Sequence, residues 1–448
     1  MREILVIGAG RSSTSMIKYL LNNAQRENWR LTVAERDVAL AERKVNGHGR
    51  GRVISFDVAD DMERISEISK ADLVISMLPA HMHLAVAKDC IALKKPMVTA
   101  SYVSNEMSAL NESAQKAGVV IMNEIGVDPG IDHMSAFQIL DDLKSQGAEM
   151  LLFESFTGGL VAPESDDNPW NYKFTWNPRN VVLAGQGTPV KFIQENRYKY
   201  IPYHKLFRRT EIIKIDGYGK FEGYANRDSL KYREVYGLKD IPTIFRGTLR
   251  RPGFCRAWNV FVQLGLTDDS FTIQGSEDMT YRQFLNSFLA YHKTDSVELK
   301  LMHYLSIPQD NLLMEKLEWL GLFTEEKIGL PNATPAQILE HLLLQKWKMA
   351  PEDKDMIVMH HKFGYRLKGV EKQIESSMVC IGDNHEETAM AKTVGLPVAI
   401  AAKGILNGAI HTPGIIIPKN KEVYQPVLKE LREFGIEFTE NETEYTGY

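Results

Sequence analysis

Glycines near the start of the chain carry the first chemical signal. The apolar run Ile4–Ile7 ends at Gly8, Gly10 follows, and apolar residues then recur at helical spacing as far as Leu21. This change of period is typical of a buried strand, a glycine turn and a helix. Gly8 allows the tight turn, Gly10 lets the backbone approach a pyrophosphate, and the N–H groups that open the helix can bind it. The pattern predicts a dinucleotide site, in which Ser13 takes the third position where glycine or alanine is usual.

Two charged residues bear on which dinucleotide binds. Glu35 stands at about the separation from the glycines at which an acid bonds the adenosine ribose hydroxyls. A carboxylate there favours NAD and repels the 2′-phosphate of NADP, although Arg36 beside it could bind that phosphate. We therefore expect NAD in preference to NADP. The alternative interpretation of Glu35 is a solvated acid at the end of a strand.

The elements that position these residues alternate between strand and helix periods. Strands are predicted at Ile4–Ile7, Arg30–Glu35, Arg52–Phe56, Asp72–Met77, Pro96–Ala100 and Val119–Asn123. Helices are predicted between them, and repeated β-α units of this kind form a parallel, doubly wound sheet. The predicted fold class is therefore α/β, with a dinucleotide-binding domain over residues 1–128.

Ligands of an open parallel sheet bind beyond the carboxyl ends of its strands, and this rule selects candidate site residues. Those after the third and fourth strands would border the adenine and ribose: Asp57, Val58 and Leu78. Those after the fifth and sixth strands would lie nearer the nicotinamide: Ser101, Tyr102 and Asp128. The alternative role for Asp128 is to shape the turn into the next helix.

Histidines lie close to two of these positions. His133 stands at the start of the helix after the sixth strand, and is either a catalytic group or a histidine bonded to a neighbour. His81 and His83 open the helix after the fourth strand, and we interpret them as surface or supporting groups. The pair His360-His361 lacks a third ligand at useful spacing, so no metal site is predicted.

The alternation of strand and helix fades beyond Asn123. Met150–Phe156 is predicted as a strand, and Gly158–Pro178 as a polar loop with a functional task. Short strands between residues 181 and 250 predict a mixed sheet, which the weakly alternating segment Gly253–Leu264 would extend.

A helical block is predicted over residues 278–352, with Asp310–Leu320 among its helices. The acidic tail after Thr439 is predicted to be mobile. The expected domains are a dinucleotide domain at 1–128 rejoined by 386–448, an α/β substrate domain with a mixed sheet at 129–277 and 353–385, and a helical insertion or third domain at 278–352.

Arginines are grouped in the second part of the chain, at Arg227 and at Arg246 with Arg250 and Arg251. Each guanidinium can bind a carboxylate through two hydrogen bonds, so these groups suit a small-molecule substrate with several carboxylates. The alternative is surface ion pairing, which we weigh equally for Arg251 and lower for Arg227.

Composition limits the class of protein. The chain has 448 residues, 44% of them hydrophobic and 25% charged, which is typical of a globular protein with more than one domain. A net charge of −5 argues against nucleic acid as the partner. Three widely spaced cysteines indicate a reducing compartment. We expect no leader and no membrane-spanning stretch, and therefore a cytoplasmic protein without a membrane partner.

Several longer motifs are more specific than the glycine turn. They are Val98-Thr-Ala-Ser-Tyr-Val103, Asn123-Glu-Ile-Gly-Val-Asp-Pro-Gly-Ile-Asp-His133, Gly158-Gly-Leu, Ala162–Pro169, Lys173-Phe-Thr-Trp176, Asn226-Arg-Asp-Ser229, Arg246-Gly-Thr-Leu-Arg250 and Met390–Pro397. Over nearly the whole chain this set resembles saccharopine dehydrogenase of the glutamate-forming type. The resemblance implies a Rossmann domain, an α/β substrate domain and a helical third domain. It also implies oxidation of saccharopine with NAD or NADP, and hydrolysis to glutamate and 2-aminoadipate 6-semialdehyde.

The resemblance also implies site residues, matched motif by motif. The dinucleotide would be held by Gly10, Arg11, Ser12, Ser13, Glu35, Arg36, Asp57, Val58, Leu78, Ala100, Ser101, Val127, Asp128 and Pro129. Saccharopine would be held by Ser101, Tyr102, Asp128, Arg227, Thr248, Leu249 and Arg250. Fungal members look like Cys-Gly-Gly-Leu where this chain begins with Thr157, so no cysteine role applies here. They also resemble Cys-Arg-Thr where this chain has Ala34-Glu35-Arg36, which again favours NAD.

The implied reaction requires proton transfer, because the secondary amine must lose a proton and the attacking water must be activated. Asp128 or Tyr102 could serve as the catalytic group. One alternative is a carboxynorspermidine-type amine dehydrogenase, whose pocket should be acidic rather than lined by arginines. Another is a non-catalytic dinucleotide-binding protein. The sequence leaves the direction of the reaction open, and the helical block offers a surface for a homodimer.

Overall fold

The computed structural model describes residues 1–308 and 312–447. Its first elements are β1 (Arg2–Ile7), α1 (Thr14–Asn23), β2 (Trp29–Glu35), α2 (Val38–Val45), β3 (Gly51–Ser55), α3 (Asp61–Lys70), β4 (Leu73–Ser76), α4 (His83–Ala92), β5 (Met97–Val98), α5 (Asn105–Ser108), α6 (Asn111–Ala117), β6 (Val120–Met122) and α7 (Ile131–Ser145). Next come β7 (Glu149–Val161), α8 (Pro178–Val182), β8 (Val190–Gln194), β9 (Arg197–Ile201), β10 (Thr210–Ile215), β11 (Gly219–Ala225), α9 (Tyr232–Val235), β12 (Thr243–Arg250) and α10 (Phe254–Leu264). The last are α11 (Tyr281–Ser287), α12 (Val297–Leu305), α13 (Leu312–Leu320), α14 (Pro335–Lys346), β13 (Asp355–Leu367), β14 (Val370–Ile381), α15 (Ala389–Leu406), β15 (Gly414–Ile416), α16 (Lys421–Leu431) and β16 (Thr439–Glu444).

The chain divides into two compact units, each built from two segments. The first unit contains Met1–Glu149 and Met378–Glu440, and the second contains Met150–Ser377 with a short segment that begins at Asn441. The narrower domain limits that the sequence suggests, including a separate helical domain at 278–352, stay predictions.

The first unit is built on a parallel sheet. Among the residues described for it, seven strands follow the order β15-β6-β5-β4-β1-β2-β3, and the neighbours run parallel. The chain builds the sheet outward from β1 in one direction and then restarts at β4 on the other side. This reversal leaves a crevice at the carboxyl ends of β1 and β4, which is where a doubly wound sheet binds its ligand. The predicted fold class is confirmed.

Helix α15 covers part of this sheet and packs on α1. The approach is close because a Cβ added at Gly395 would lie 2.9 Å from the Ser12 carbonyl oxygen. The helix continues through Pro397, although proline usually kinks or breaks a helix. It is also long and apolar enough to cross a membrane, with a mean hydropathy of 1.4, so the expectation of no such stretch was wrong. Since 61% of it is buried inside the protein, its apolar character also fits a core helix.

The second unit is built on a mixed sheet. In the described part of the chain nine strands belong to it, with β10-β11-β12-β7-β13-β14-β16 forming the path and β8 and β9 attached through β12. Strands β7 and β12 are parallel, whereas β10, β11 and β12 pair in antiparallel fashion. This arrangement agrees with the predicted α/β unit with a mixed sheet.

Three local predictions in this unit were wrong. Gly158–Leu160 belongs to β7 and not to a loop. The segment predicted as a weak strand forms α10, because Phe254, Trp258 and Phe261 recur at helical spacing and are all buried. The acidic tail after Thr439 forms β16, the last strand on the path beside β14.

The predicted helical block contains α11 to α14. Thr280 and Thr334 cap α11 and α14, each in a reciprocal capping box with the glutamine three residues later. Asp310, the predicted start of one helix, lies outside the described residues, and α13 begins at Leu312. Trp347 follows α14 and packs against Trp170 and Phe254, with ring centroids 5.3 and 6.0 Å away.

Candidate functional site

The glycine turn connects β1 to α1 at the carboxyl end of the central strand. Gly8 has φ of +99°, and a Cβ there would lie 2.9 Å from the Met77 carbonyl oxygen. At Gly10 an added Cβ would meet no atom within 4 Å, so the backbone is open to a ligand. No side chain caps the start of α1, since Ser13 Oγ bonds back to the Gly10 carbonyl at 2.8 Å. The turn therefore fits the pyrophosphate of a dinucleotide, with N–H groups available to it.

A cleft of about 260 Å³ opens beside this turn. It is lined by Gly10, Arg11, Ser12, Ser13, Ser76, Met77, Leu78, Thr99, Ala100, Ser101 and Val394. The lining brings together seven predicted cofactor residues from three separate loops. Ser76, Met77, Thr99 and Val394 also line the cleft, although the sequence assigned no cofactor role to them. Ser76 and Met77 stand at a strand end, and Thr99 and Val394 lie within two of the motifs that carry the family resemblance.

The other predicted cofactor residues lie outside this lining. They are Gly8, Glu35, Arg36, Asp57, Val58, Val127, Asp128 and Pro129. Val58 is buried in the apolar core of the first unit. Asp57 is exposed at the edge of the sheet.

Glu35 is directed toward the backbone of the glycine turn. Its Oε2 accepts a hydrogen bond from the Ala9 N–H at 2.6 Å, and its Oε1 accepts one from the Arg36 N–H at 2.8 Å. The Arg36 guanidinium is exposed and lies 2.7 Å from Asp57 Oδ1. Its hydrogen bond holds the pKa of Asp57 below the usual range. The guanidinium of Arg36 thus lies next to Glu35, an acid whose charge is already stabilised by backbone N–H groups.

Lys44 of α2 supports the turn from the side, although no motif in the sequence indicates such a role for it. Its Nζ donates to the Gly10 carbonyl and to Ser13 Oγ, the latter at 3.0 Å. Burial lowers the pKa of Lys44 to about 8. Ser13, the serine at the third position of the turn, therefore takes part in two hydrogen bonds, one to the Gly10 carbonyl and one from Lys44.

His83 lies beneath the cleft. It is buried, with Nδ1 2.8 Å from Ser76 Oγ and Nε2 2.7 Å from Ser101 Oγ. His81 is exposed. Of the two alternatives left open for these residues, His83 is a supporting group and His81 a surface group.

The two predicted catalytic residues meet beyond the carboxyl ends of β5 and β6. The Tyr102 hydroxyl donates to Asp128 Oδ1 at 3.1 Å, and Tyr102 is 45% exposed. Glu124 fixes the loop below them, since it accepts from the Val103 N–H at 2.9 Å and lies 3.0 Å from His133 Nε2. His133 is fully buried, which favours the interpretation of a histidine bonded to its neighbours.

Arg250 is a buried cation in the second unit. Its guanidinium lies 5.0 Å from the ring centre of Tyr172 and 5.4 Å from that of Phe254. One donor, Nη1, bonds to the Leu249 carbonyl at 2.8 Å, while Nε is buried and has no hydrogen-bond partner among the residues that the structure describes. Burying a charge this completely is costly unless a partner offsets it, so the guanidinium is suited to an anionic ligand.

The remaining predicted substrate residues have different surroundings. Thr248 and Leu249 lie on β12 with Arg250, and Leu249 is fully buried. Arg227 is exposed and has φ of +49°. Arg251 stacks 4.4 Å above the Phe221 ring and donates to the Tyr218 carbonyl, so surface ion pairing does not describe it.

The parallel sheet, its glycine turn and the cleft beside them place the chain among dinucleotide-binding proteins that carry a separate α/β unit. Two family models match: "Saccharopine dehydrogenase NADP binding domain" over residues 4–122 and "Saccharopine dehydrogenase C-terminal domain" over residues 126–436. The chain therefore belongs to the saccharopine dehydrogenase family.

Relatives of known name are similar over nearly the whole chain. The saccharopine dehydrogenase [NADP(+), L-glutamate-forming] of Pyricularia oryzae is 33% identical, with 98% of each chain covered. The mitochondrial alpha-aminoadipic semialdehyde synthase of Rattus norvegicus is 35% identical over 99% of this chain, but this chain spans only 48% of that protein. The chain is thus about half as long as some of the curated relatives it matches.

Solved structures agree with the fold. Apo saccharopine dehydrogenase (L-Glu forming) from Saccharomyces cerevisiae superposes with a TM-score of 0.90 at 32% identity, covering 99% of this chain and 100% of that one. The homospermidine synthase of Legionella pneumophila in complex with NAD gives a TM-score of 0.53 at 10% identity, with 99% and 92% covered, and shares the fold alone.

The expectation that NAD is preferred was wrong. The matched domain is described as NADP-binding, and the fungal relatives are named NADP(+) enzymes. The surroundings of Glu35 explain why this acid is a poor guide to the choice between NAD and NADP. The oxygens of Glu35 accept hydrogen bonds from backbone N–H groups, which stabilise its charge, and the exposed Arg36 stands at the same edge. An acid at this position therefore does not by itself exclude a 2′-phosphate.

Proposed function

We propose that this protein oxidises saccharopine with NADP⁺ and water, giving L-glutamate, 2-aminoadipate 6-semialdehyde, NADPH and a proton. Family membership over both units and the names of the full-length fungal relatives support the proposal. The substrate is then a small molecule with several carboxylates, and the reaction belongs to lysine metabolism.

The observation that carries the substrate class is the buried guanidinium of Arg250. Among the described residues no carboxylate lies within ion-pair distance of it, and its Nε has no partner. A carboxylate of saccharopine would supply the missing charge and accept from the fork of N–H donors. A polyamine substrate would instead place ammonium groups near a cation, so the arginine disfavours the carboxynorspermidine alternative.

The cofactor would be held by the first unit. The backbone at Gly10 and the start of α1 would take the pyrophosphate, and Arg36 is available to a 2′-phosphate. Lys44 would add positive charge behind the turn. When bound, NADP⁺ supplies the hydride acceptor.

Proton transfer is assigned to the Tyr102–Asp128 pair. The amine nitrogen must lose its proton as the adjacent carbon is oxidised, and the water that attacks the resulting imine must also be deprotonated. The Asp128 carboxylate can accept such a proton, and the Tyr102 hydroxyl bonded to it at 3.1 Å can orient that carboxylate or pass a proton on.

A spectrophotometric assay tests the proposal. Purified protein with saccharopine and NADP⁺ is expected to produce absorbance at the wavelength of NADPH, with less product from NAD⁺ at equal concentration. Glutamate and the semialdehyde should appear in equal amounts. No reduction of either dinucleotide by saccharopine would refute the assignment. A homodimer and a cytoplasmic location are further proposals, which gel filtration and cell fractionation would test.

A further inference from the structure

A buried histidine joins two serines of the cofactor cleft. The His83 ring is 3% exposed and lies within hydrogen-bond distance of Ser76 Oγ and Ser101 Oγ, at 2.8 and 2.7 Å. Ser76 ends β4 and Ser101 follows β5, and both line the cleft, whereas His83 is not part of the lining. The ring therefore connects the ends of two neighbouring strands from outside the cleft lining.

The chemistry of the ring makes the two serines unequal. Burial, with a contribution from His81, lowers the pKa of His83 to about 4, so the imidazole is neutral near pH 7. A neutral imidazole has one N–H donor and one nitrogen acceptor. One serine hydroxyl must therefore accept from the ring while the other donates to it. If Nε2 carries the proton, the Ser101 oxygen accepts from the ring and its own O–H is left to donate into the cleft; if Nδ1 carries it, Ser101 donates to Nε2 and is left only as an acceptor. The ring thus sets the role that the Ser101 hydroxyl has toward the cleft.

Thr99 limits the movement of the same loop. Its Oγ1 accepts from the Ser101 N–H at 3.3 Å and lies 3.5 Å from His83 Nε2. Both the backbone and the side chain of Ser101 are thus held from below. A hydroxyl held in this way costs little conformational entropy when a ligand binds it.

We propose that His83 is a positioning residue, which sets the direction of the Ser101 hydroxyl for the bound dinucleotide. It acts through Ser101 and does not contact the ligand. The inference rests on the proposed function only in taking NADP(H) as that dinucleotide.

Two substitutions separate the hydrogen bonds of the ring. A glutamine amide reaches about as far as Nε2, so His83→Gln retains a partner for Ser101. An asparagine amide reaches about as far as Nδ1, so His83→Asn retains a partner for Ser76 alone. The dissociation constant of NADPH, measured by fluorescence titration without substrate, should rise about fivefold for His83→Asn, as expected for one hydrogen bond. It should change less than about twofold for His83→Gln.

A double-mutant cycle distinguishes positioning from a general structural effect. Ser101→Ala should weaken NADPH binding about as much as His83→Asn does, and the double variant should be no weaker than either single one. His81→Asn, on the exposed histidine two residues away, is the matched control and should bind like wild type. Fold-changes that multiply in the double variant, or a tenfold loss in His83→Gln, would overturn the inference.

The same preparation separates this inference from the proposed function. If wild-type protein binds NADPH and oxidises saccharopine but the fold-changes of the two substitutions multiply, only the role of His83 is refuted. Wild-type protein that fails to bind NADPH refutes both. If thermal melting shows that His83→Asn is unfolded, His83→Gln decides, since binding within about twofold of wild type supports the role and a tenfold loss contradicts it.

Discussion

Replacing Arg250 by methionine should strongly weaken productive substrate binding without weakening the fold. Methionine has a similar length and packs well against aromatic rings, so it can fill the space among Tyr172, Phe254 and Tyr224. It removes the charge and every N–H donor of the side chain. A carboxylate of the substrate would then have no partner in this pocket.

The magnitude follows from the number of hydrogen bonds lost. Each hydrogen bond to a charged group contributes about 1.5–3 kcal/mol, and a guanidinium fork offers two to a carboxylate. A loss of at least about 3 kcal/mol lowers kcat/KM for saccharopine by at least about a hundredfold, since each 1.36 kcal/mol is a factor of ten. The dissociation constant of NADPH should stay unchanged.

The Arg250→Met variant should be at least as stable as wild type, although it binds substrate less well. Within the described part of the chain, this guanidinium is buried and makes one hydrogen bond, to the Leu249 carbonyl. Replacing a poorly compensated buried charge by an apolar side chain is often neutral or stabilising by about 1–4 kcal/mol. The melting temperature of Arg250→Met should therefore equal or exceed that of wild type.

The assay combines initial rates over a range of saccharopine concentrations, NADPH titration and thermal melting. Arg250→Lys keeps the charge without the fork and should give an intermediate kcat/KM. Arg251→Met is the matched control, because its guanidinium covers the Phe221 ring, and should keep kcat/KM within about threefold. Wild-type kcat/KM in Arg250→Met would refute the reasoning. So would a loss that comes with a large fall in melting temperature, because the arginine would then support the fold and not the ligand.

Three further predictions concern the first unit. Affinity for NADPH should fall as the pH rises through about 8, because the pKa of Lys44 lies near that value and only the charged lysine attracts a phosphate; Glu35, Glu386 and Arg43 are the charged groups around it. Lys44→Met should bind NADPH more weakly, and its affinity should not change over this pH range. The same pH dependence in Lys44→Met as in wild type would exclude Lys44 as its cause. Gly8→Ala should destabilise the protein by about 1–3 kcal/mol and weaken NADPH binding, since φ is +99° and the Met77 carbonyl leaves no room for a Cβ; a melting temperature equal to that of wild type would contradict the strain. Asp128→Asn should lower kcat and remove the acidic limb of the pH–rate profile, and an unchanged rate across pH would exclude Asp128 from proton transfer.

Local periodicity was sufficient for most of the fold. Strands β1 to β6 lie within a few residues of the predicted segments, because most of them are short apolar runs between turn residues and are buried in a parallel sheet. The edge strand β3 is the exception, since it has no fully buried residue. The errors fall where periodicity is ambiguous. The segment that forms α10 contains tryptophan, phenylalanine and valine, which also favour strands, and only its packing beside Trp170 and Trp347 makes the helical face decisive.

The candidate site, like the fold, was only partly predictable from the sequence. The sequence by itself determined the turn at Gly8 and Gly10, because a strand, two glycines and a helix are adjacent in the chain and leave few other conformations. It also pointed to Arg250, although as one of several arginines. The choice of dinucleotide was misjudged, since the effect of Glu35 depends on which N–H groups its oxygens meet.

Only the tertiary structure brought Val394, Lys44 and the pair His83–Ser101 to the turn, and only it showed that Arg250 is enclosed and nearly without partners. Backbone conformation depends on neighbours in the chain, so the sequence predicts it well. Hydrogen bonding, burial and the pKa of a side chain depend on groups that are distant in sequence, and folding decides which of them meet.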